Sequence, residues 1–197
     1  MKKLNAKGFT LIELLAVITI MGILMMVAIP TVSRTIENSR KDTFIDTAKS
    51  YINGAKNMWA ADNLQCGTYL SSAVAAGTYY ITIDTSTPAN HPMLLEQGGK
   101  SSWGSRDVKG YIKVVVEDSA VGGAGSAVSR KVTYYPVITD GVHGINVTAG
   151  TTSTEGGTLV AGEKLVRGNI VMSGAGYPNI STATGGGLAG KQTCIEV

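Results

Sequence analysis

Near its start the chain reads Lys7-Gly8-Phe9-Thr10-Leu11-Ile12-Glu13, and an apolar run then continues to Ile29. Within this run every side chain is apolar or small except Glu13 and Thr19. A helix from Leu11 to Ile29 is about 28 Å long at 1.5 Å per residue, close to the roughly 30 Å hydrocarbon core of a bilayer. The run is therefore long enough to cross a membrane. A carboxylate inside such a run indicates a functional residue that needs a partner.

Two simpler interpretations of this N-terminus are open. A secretory signal peptide also has a basic start, here Met1–Lys7, but its apolar core usually spans about 7–15 residues and ends in an Ala-x-Ala-like site. This run is longer, and no such site follows Ala28. A plain membrane anchor explains the run but gives no role to Glu13 or to the Gly8-Phe9 junction. Neither interpretation accounts for the whole segment.

The segment resembles the N-terminus of type IV pilins and pseudopilins. The signature of that family is a short basic leader, a Gly, a methylatable Phe, and then Thr-Leu-[Ile/Val]-Glu before an apolar helix. The chain matches this pattern without a gap from Lys7 to Leu15. Gly22 and Pro30 also fall where the family often has helix-loosening residues.

The resemblance implies a maturation step and a mode of assembly. A dedicated aspartyl prepilin peptidase would remove the leader, residues 1–8, after Gly8 and methylate the new amine of Phe9. Residues 9–30 would anchor the precursor in the inner membrane, in contact with lipid and with the head outside. An assembly platform would then build a helical homopolymer, with other pilins as further partners. The amine of Phe9 and the carboxylate of Glu13 would guide this assembly.

The resemblance thus predicts a structural subunit of an extracellular type IV pilus, with no enzymatic activity and no cofactor. One alternative is a pseudopilin of a type II secretion or DNA-uptake machine, located in the periplasm or cell wall. Major secretion pseudopilins often have an acidic calcium-binding loop near the C-terminus, whereas Ser173–Gly190 contains no carboxylate, which favours a pilin. A second alternative is a surface adhesin that uses the same N-terminal segment only as a membrane anchor and does not assemble into filaments.

Beyond the membrane run, the pattern predicts one α+β head, residues 31–197. Apolar residues at steps of three and four predict an amphipathic helix over Thr31–Ala61 that seats the core of the head, with Val32 and Ile36 in its apolar stripe. A small antiparallel sheet of three to four strands is expected at about 105–175, with long Gly-rich loops. Its strand candidates are Lys109–Glu117, Arg130–Thr139, Val142–Val147 and Asn169–Ser173, and Thr78–Ile83 also has strand composition.

Gly22 and Pro30 bracket a weak part of the N-terminal helix. Glycine lowers helix stability by about 1 kcal/mol relative to alanine, and proline removes a backbone donor. Helical patterning resumes directly after Pro30. We therefore expect a kink or local melting between these two residues rather than a helix end.

The chain has two cysteines, Cys66 and Cys194. A head outside the membrane lies where disulfides persist, and the two cysteines allow a single intramolecular bond. We expect this bond to close the head and to hold its Gly-rich tail. Two unpaired, buried thiols are the alternative.

Composition limits the other functions. Without the three leader lysines, 14 basic residues face 14 acidic ones, so a strongly basic nucleic-acid surface is not indicated. Two cysteines and two separated histidines, His91 and His143, do not have the spacing of a zinc site. No Gly-x-Ser-x-Gly motif is present, and both histidines are expected in loops. Asn146-Val147-Thr148 matches a glycosylation sequon.

Overall fold

The fold is described from a computed structural model of the chain. It describes residues 9–86, 100–101, 106–120, 128–147, 158–172, 188 and 191–196. The chain divides into two compact units, Met1–Ser39 and Arg40–Val197. A single long helix, α1 (Leu11–Ala60), contributes to both.

In the first unit α1 is an exposed apolar helix. Every described side chain from Phe9 to Ser39 is exposed. By length and composition α1 can cross a membrane. Gly22 and Pro30 both lie inside the helix, which is continuous through them. The expectation of melting between these residues concerns the assembled state and stays a prediction.

In the second unit α1 carries the core on one face. Its buried residues are Phe44, Ile45, Thr47, Ala48, Tyr51, Ile52, Gly54, Ala55 and Trp59. Val32 and Ile36 are 54% and 41% exposed, so the prediction that the core begins at this end of the apolar stripe was wrong. Periodicity identified the apolar side of the helix, but it could not show which turns the sheet covers.

The helix ends in a hydrogen-bonded cap. Asp62 has a positive φ of 61°, and the Asn63 N–H donates to the Met58 carbonyl at 3.0 Å. This 6→1 bond after a left-handed residue is the Schellman ending of a helix. The Asp62 carboxylate accepts hydrogen bonds from the Ser71 hydroxyl, the Ser72 N–H and the Ser72 hydroxyl. The cap therefore also holds Ser71 and Ser72 against the end of the helix.

In the part of the chain that the structure describes, eight strands form one sheet in the order β2-β1-β8-β3-β4-β5-β6-β7. Their bounds are Leu64–Cys66 (β1), Tyr69–Leu70 (β2), Gly77–Asp84 (β3), Lys109–Ala120 (β4), Val128–Thr139 (β5), His143–Ile145 (β6), Ile170–Met172 (β7) and Thr193–Glu196 (β8). Two 3-10 turns, Gly162–Lys164 and Arg167–Asn169, precede β7.

The α+β class is confirmed, but the expected sheet was too small and too regular. Three to four antiparallel strands were predicted, whereas β1, β2 and β8 extend the sheet beyond β3. β8 pairs parallel to β3 and antiparallel to β1. These three strands have two to four residues each. Such short segments have no usable periodicity, and only their long-range pairing makes them strands.

Strand alternation places apolar residues on both faces of the sheet. Ile81, Ile112 and Ile138 belong to the main core together with the buried face of α1. The intervening residues Tyr80, Tyr111 and Val137 form a second buried cluster with Val147 and Leu188. The sheet is therefore covered on both sides over its central strands.

A proline cannot donate to a strand ladder, so a proline such as Pro136 is expected only at an edge strand or a bulge. β5 is an interior strand, and Pro136 pairs with Ile112 of β4 without a bulge. On the other side of β5, however, β6 pairs only with Ile138 and Thr139. Pro136 lies beyond this pairing, where its missing N–H leaves no ladder bond unmade. Pro136 thus lies where one side of β5 is unpaired, although β5 itself is not an edge strand.

Cys66 of β1 and Cys194 of β8 face each other in register and form a disulfide. Both residues are buried in the main core. The bond joins the chain directly after α1 to the C-terminal strand. It closes the second unit, as expected from the sequence.

Replacing Cys194 by Ser is expected to lower the free energy of unfolding by about 2–5 kcal/mol, because the bond closes a long loop in the unfolded chain. Thermal melts of purified protein should show the loss, and Cys66→Ser should behave in the same way. Titration of two free thiols in the native wild-type protein would contradict the pairing.

Candidate functional site

The N-terminal end of α1 is closed by a reciprocal pair of side chains. The Thr10 N–H and the Thr10 hydroxyl donate to Glu13 Oε2 at 2.8 and 2.7 Å. In return the Glu13 N–H approaches Thr10 Oγ1 at 3.4 Å. Thr and Glu three residues apart at a helix start form a capping box. The sequence contains this signal as Thr-x-x-Glu, but the prediction for Glu13 considered only the cost of a carboxylate in the membrane and missed the cap.

The capping box uses one oxygen of the Glu13 carboxylate. Within the described residues no hydrogen bond reaches Oε1. Phe9 lies directly before the box, but its nitrogen is a peptide amide as long as Gly8 is attached. Gly8 itself lies outside the described residues. Pairing between Glu13 and the free Phe9 amine therefore stays a prediction about the chain after cleavage at Gly8.

The surface around this end of the helix is apolar and uncovered. Phe9 is 88% and Leu11 83% exposed, and the large apolar side chains through Ile29 are exposed as well. An apolar surface of this extent is unstable in water and indicates a lipid or protein partner.

Around Pro30 the helix has altered hydrogen bonding. Pro30 has no N–H to donate to the Met26 carbonyl. The Thr31 hydroxyl donates to the Val27 carbonyl at 3.1 Å, and the Thr35 hydroxyl donates to the Thr31 carbonyl at 3.0 Å. Such threonine bonds to the preceding turn weaken and often bend helices. The first bond ends on a carbonyl between Gly22 and Pro30, the region expected to be weak, and the second lies one turn beyond it.

A buried polar cluster lies at the turn between β5 and β6. Asp140 Oδ2 accepts from the Ser101 hydroxyl and is paired with His143 Nδ1, each at 2.9 Å. Asp140 Oδ1 accepts the backbone N–H groups of Val142 and His143. Burial raises the pKa of Asp140, but the hydrogen bonds from His143 and Val142 outweigh it and lower the pKa to about 2.

His143 therefore lies in a strand, as the candidate Val142–Val147 predicts, and not in a loop. It begins β6, is only 4% exposed, and its ring lies 5.5 Å from that of Phe44 in α1. Its Nε2 atom is buried and has no partner within the described part of the chain. Ser101 donates to Asp140 and not to His143, so the three residues do not form a nucleophile–base relay. The cluster is a structural turn.

Asn146 has a structural role as well. It adopts a positive φ of 56°. Its amide nitrogen donates to the carbonyls of Pro136 and Val160 at 2.7 and 3.0 Å, and its amide oxygen accepts from the Val160 N–H. The side chain of this sequon therefore replaces strand pairing beside Pro136 and is not available for a glycan.

The predicted site residues fall into three places. Phe9 and Glu13 lie near the start of α1, Gly22 and Pro30 lie farther along that helix, and Cys66 and Cys194 meet in the sheet. His91 and most of Ser173–Gly190 lie outside the described residues. Among the residues that are described, no group of three His, Cys, Asp or Glu side chains could hold a metal.

Comparison with known families identifies one segment. Residues 3–29 match the prokaryotic N-terminal methylation motif, which is the signature of type IV pilins and pseudopilins. No curated protein and no solved structure matches the chain. The match covers the basic segment from residue 3 and the apolar run, and it includes Gly8, Phe9, Thr10 and Glu13. This motif implies processing by a prepilin peptidase and assembly with other pilins.

Proposed function

We propose, from the N-terminal methylation motif at residues 3–29, that the chain is the structural subunit of a type IV pilus. The observation that carries the proposal is the junction Gly8-Phe9 directly before a capped helix whose apolar run, as far as Ile29, is exposed. A pilus subunit needs this helix twice, first as a membrane anchor and then as the packing surface of a filament. The second unit, closed by its disulfide, is the head that the filament displays.

Maturation links the two uses of the helix. Cleavage after Gly8 removes the basic leader and converts the Phe9 amide into a free amine, which the peptidase then methylates. The new cation lies close to Glu13, whose Oε2 is held by Thr10 while Oε1 has no hydrogen-bond partner in the described chain. A Glu13 presented in this way can pair with the Phe9 amine of an incoming subunit. Assembly would therefore depend on cleavage.

A pseudopilin of a secretion or DNA-uptake machine is the alternative that the same motif permits. Both kinds of subunit share the anchor and the processing site. The absence of carboxylates from Ser173–Gly190 in the sequence favours the pilus. Abundance of the chain in sheared extracellular filaments would support a pilus subunit, and retention in the envelope would support a pseudopilin.

The mature protein is expected to begin at Phe9 with a methylated amine. Gly8→Leu should leave uncut precursor in the membrane, because a bulky side chain beside the scissile bond blocks access to it. Ala6→Leu is the matched control, since it adds the same side chain two positions upstream and should still be cut. The masses of the N-terminal peptides decide the result. Surface protein that starts at Met1, or after Ala28, would contradict the proposal.

A further inference from the structure

An open groove of about 190 Å³ lies in the second unit between α1 and the Gly162–Lys164 turn. Its lining consists of Lys49, Ile52, Asn53, Lys56, Gly162 and Glu163. Gly162 packs so tightly on Ile52 that an added Cβ would overlap the end of that side chain. The turn can approach the helix this closely only because residue 162 has no side chain.

The groove has one uncompensated positive charge. The Lys56 ammonium lies 3.2 Å from Glu163 Oε1 and 5.7 Å from the centre of the Tyr134 ring, so its charge already has a partner. Lys49 is exposed and has no ion pair within the described part of the chain. Asn53 follows it one helical turn later and offers an amide. These groups favour a carboxylate.

The size of the groove favours a side chain over a free ligand. Ligand pockets usually measure about 300–1,000 Å³, and this groove is both smaller and open. A group that fits it would bind weakly from solution. In a filament, however, the neighbouring copy is tethered and present at high effective concentration. The inference therefore rests on the proposed function, and its occupant is a second copy of the chain.

The chain offers an acidic side chain on a projecting element. β3 pairs with β4 only as far as Val116, whereas β4 and β5 continue as a two-stranded ribbon. Glu117 lies at the base of this ribbon and is exposed. It faces Lys131 in register, but exposed pairs of this kind contribute little. Asp118, the next residue on the ribbon, is also exposed, but both of its carboxylate oxygens accept hydrogen bonds from Arg130. The other exposed carboxylates in the described part of the second unit lie outside the ribbon, namely Asp46, Glu163 and Glu196.

We propose that Glu117 of one subunit enters the groove of its neighbour and pairs with Lys49. Groove and ribbon are different surfaces of the same unit, so the contact is heterologous. Repeated from copy to copy, such a contact generates a helical assembly instead of a closed dimer. It would join the heads of adjacent subunits.

Zero-length carbodiimide cross-linking of purified filaments tests the contact directly. The dimer band is expected to contain a Lys49–Glu117 linked peptide. Lys49→Arg is the matched control, because it keeps the charge and cannot form the amide. Filaments of this variant should form normally and lose the cross-link. A dimer band in which Lys49 is linked to another carboxylate, or not linked at all, would overturn the inference.

Charge exchange gives an independent measurement. Lys49→Glu should lower filament yield about fivefold, the effect of losing about 1 kcal/mol. Adding Glu117→Lys to that variant should restore the yield, and failure to restore it would count against the pair. Wild-type filaments without the cross-link would overturn this inference alone. Absence of filaments from the wild type would overturn the proposed function as well.

Discussion

Replacing Glu13 by Gln is expected to leave cleavage at Gly8 intact and to abolish filament assembly in a strain that lacks the wild-type subunit. The capping box makes this substitution informative. Glutamine is accepted at the same position of the box as glutamate, so Thr10 can still close the helix. The substitution removes the negative charge and little else. A loss of filaments would therefore report on charge pairing and not on the start of the helix.

The competing hypothesis is that Glu13 is protonated in the membrane and merely tolerated. Removing a carboxylate from an apolar run lowers the cost of inserting the helix. Filaments should then form at least as well with Gln as with Glu. Under the pairing hypothesis the variant is cut, is methylated and stays in the membrane. Electron microscopy of sheared surface material, together with the mass of the cell-associated protein, distinguishes the two.

Thr10→Ala serves as the control for the cap. It removes the hydroxyl bonds of the box, but the backbone N–H at position 10 can still donate to Glu13 Oε2. The charge of Glu13 remains, so assembly should be weakened less than in Glu13→Gln. Normal piliation of the Glu13→Gln strain would refute the pairing hypothesis. A larger assembly defect in Thr10→Ala than in Glu13→Gln would show that assembly depends on the helix cap and not on the charge of Glu13.

The first part of the chain could be predicted because its signals are local. The apolar run, Glu13 and the Gly8-Phe9 junction stand in one short segment, and the methylation motif covers that segment. β4 and β5 were also predicted well, since Val and Ile runs with turn residues between them indicate long paired strands. Local pattern and final structure agree where the pattern is long.

The remaining parts of the fold could not be predicted, because they depend on contacts between residues that are distant in the sequence. Cys194 lies in a strand because β1 and β3 flank it and Cys66 bonds to it, and nothing in a four-residue segment predicts that. Val32 continues the apolar stripe of α1, yet it remains exposed in the single chain. His143 is buried because Phe44 of α1 covers it. A histidine after a Gly turn does not indicate this from sequence alone.

A further effect, on both stability and its pH dependence, is expected at Asp140. Its side chain is fully buried and accepts hydrogen bonds from Ser101, Val142 and His143. Asp140→Asn replaces one acceptor oxygen by an amide that donates, which leaves buried donors without a partner. Each such loss costs about 1–3 kcal/mol. We expect the free energy of unfolding to fall by about that amount at neutral pH, with the turn between β5 and β6 loosened.

The same carboxylate makes stability depend on pH. Its pKa is lowered from 3.8 in the unfolded chain to about 2 in the folded one. The folded state therefore favours the ionised form, and the resulting stability is fully present above pH 3.8. It is lost as the pH falls towards 2, because the carboxylate must then be protonated. The shift corresponds to about 2 kcal/mol.

Thermal melts of the full-length protein in detergent, followed by tryptophan fluorescence, to which the buried Trp59 contributes, should show this dependence. Between pH 5 and pH 2 the wild type should lose more stability than Asp140→Asn, since the variant has no carboxylate to protonate at this position. Asp46→Asn is the matched control, because Asp46 is exposed on α1 and should leave the wild-type acid profile unchanged. Parallel acid profiles of wild type and Asp140→Asn would show that Asp140 does not carry the effect.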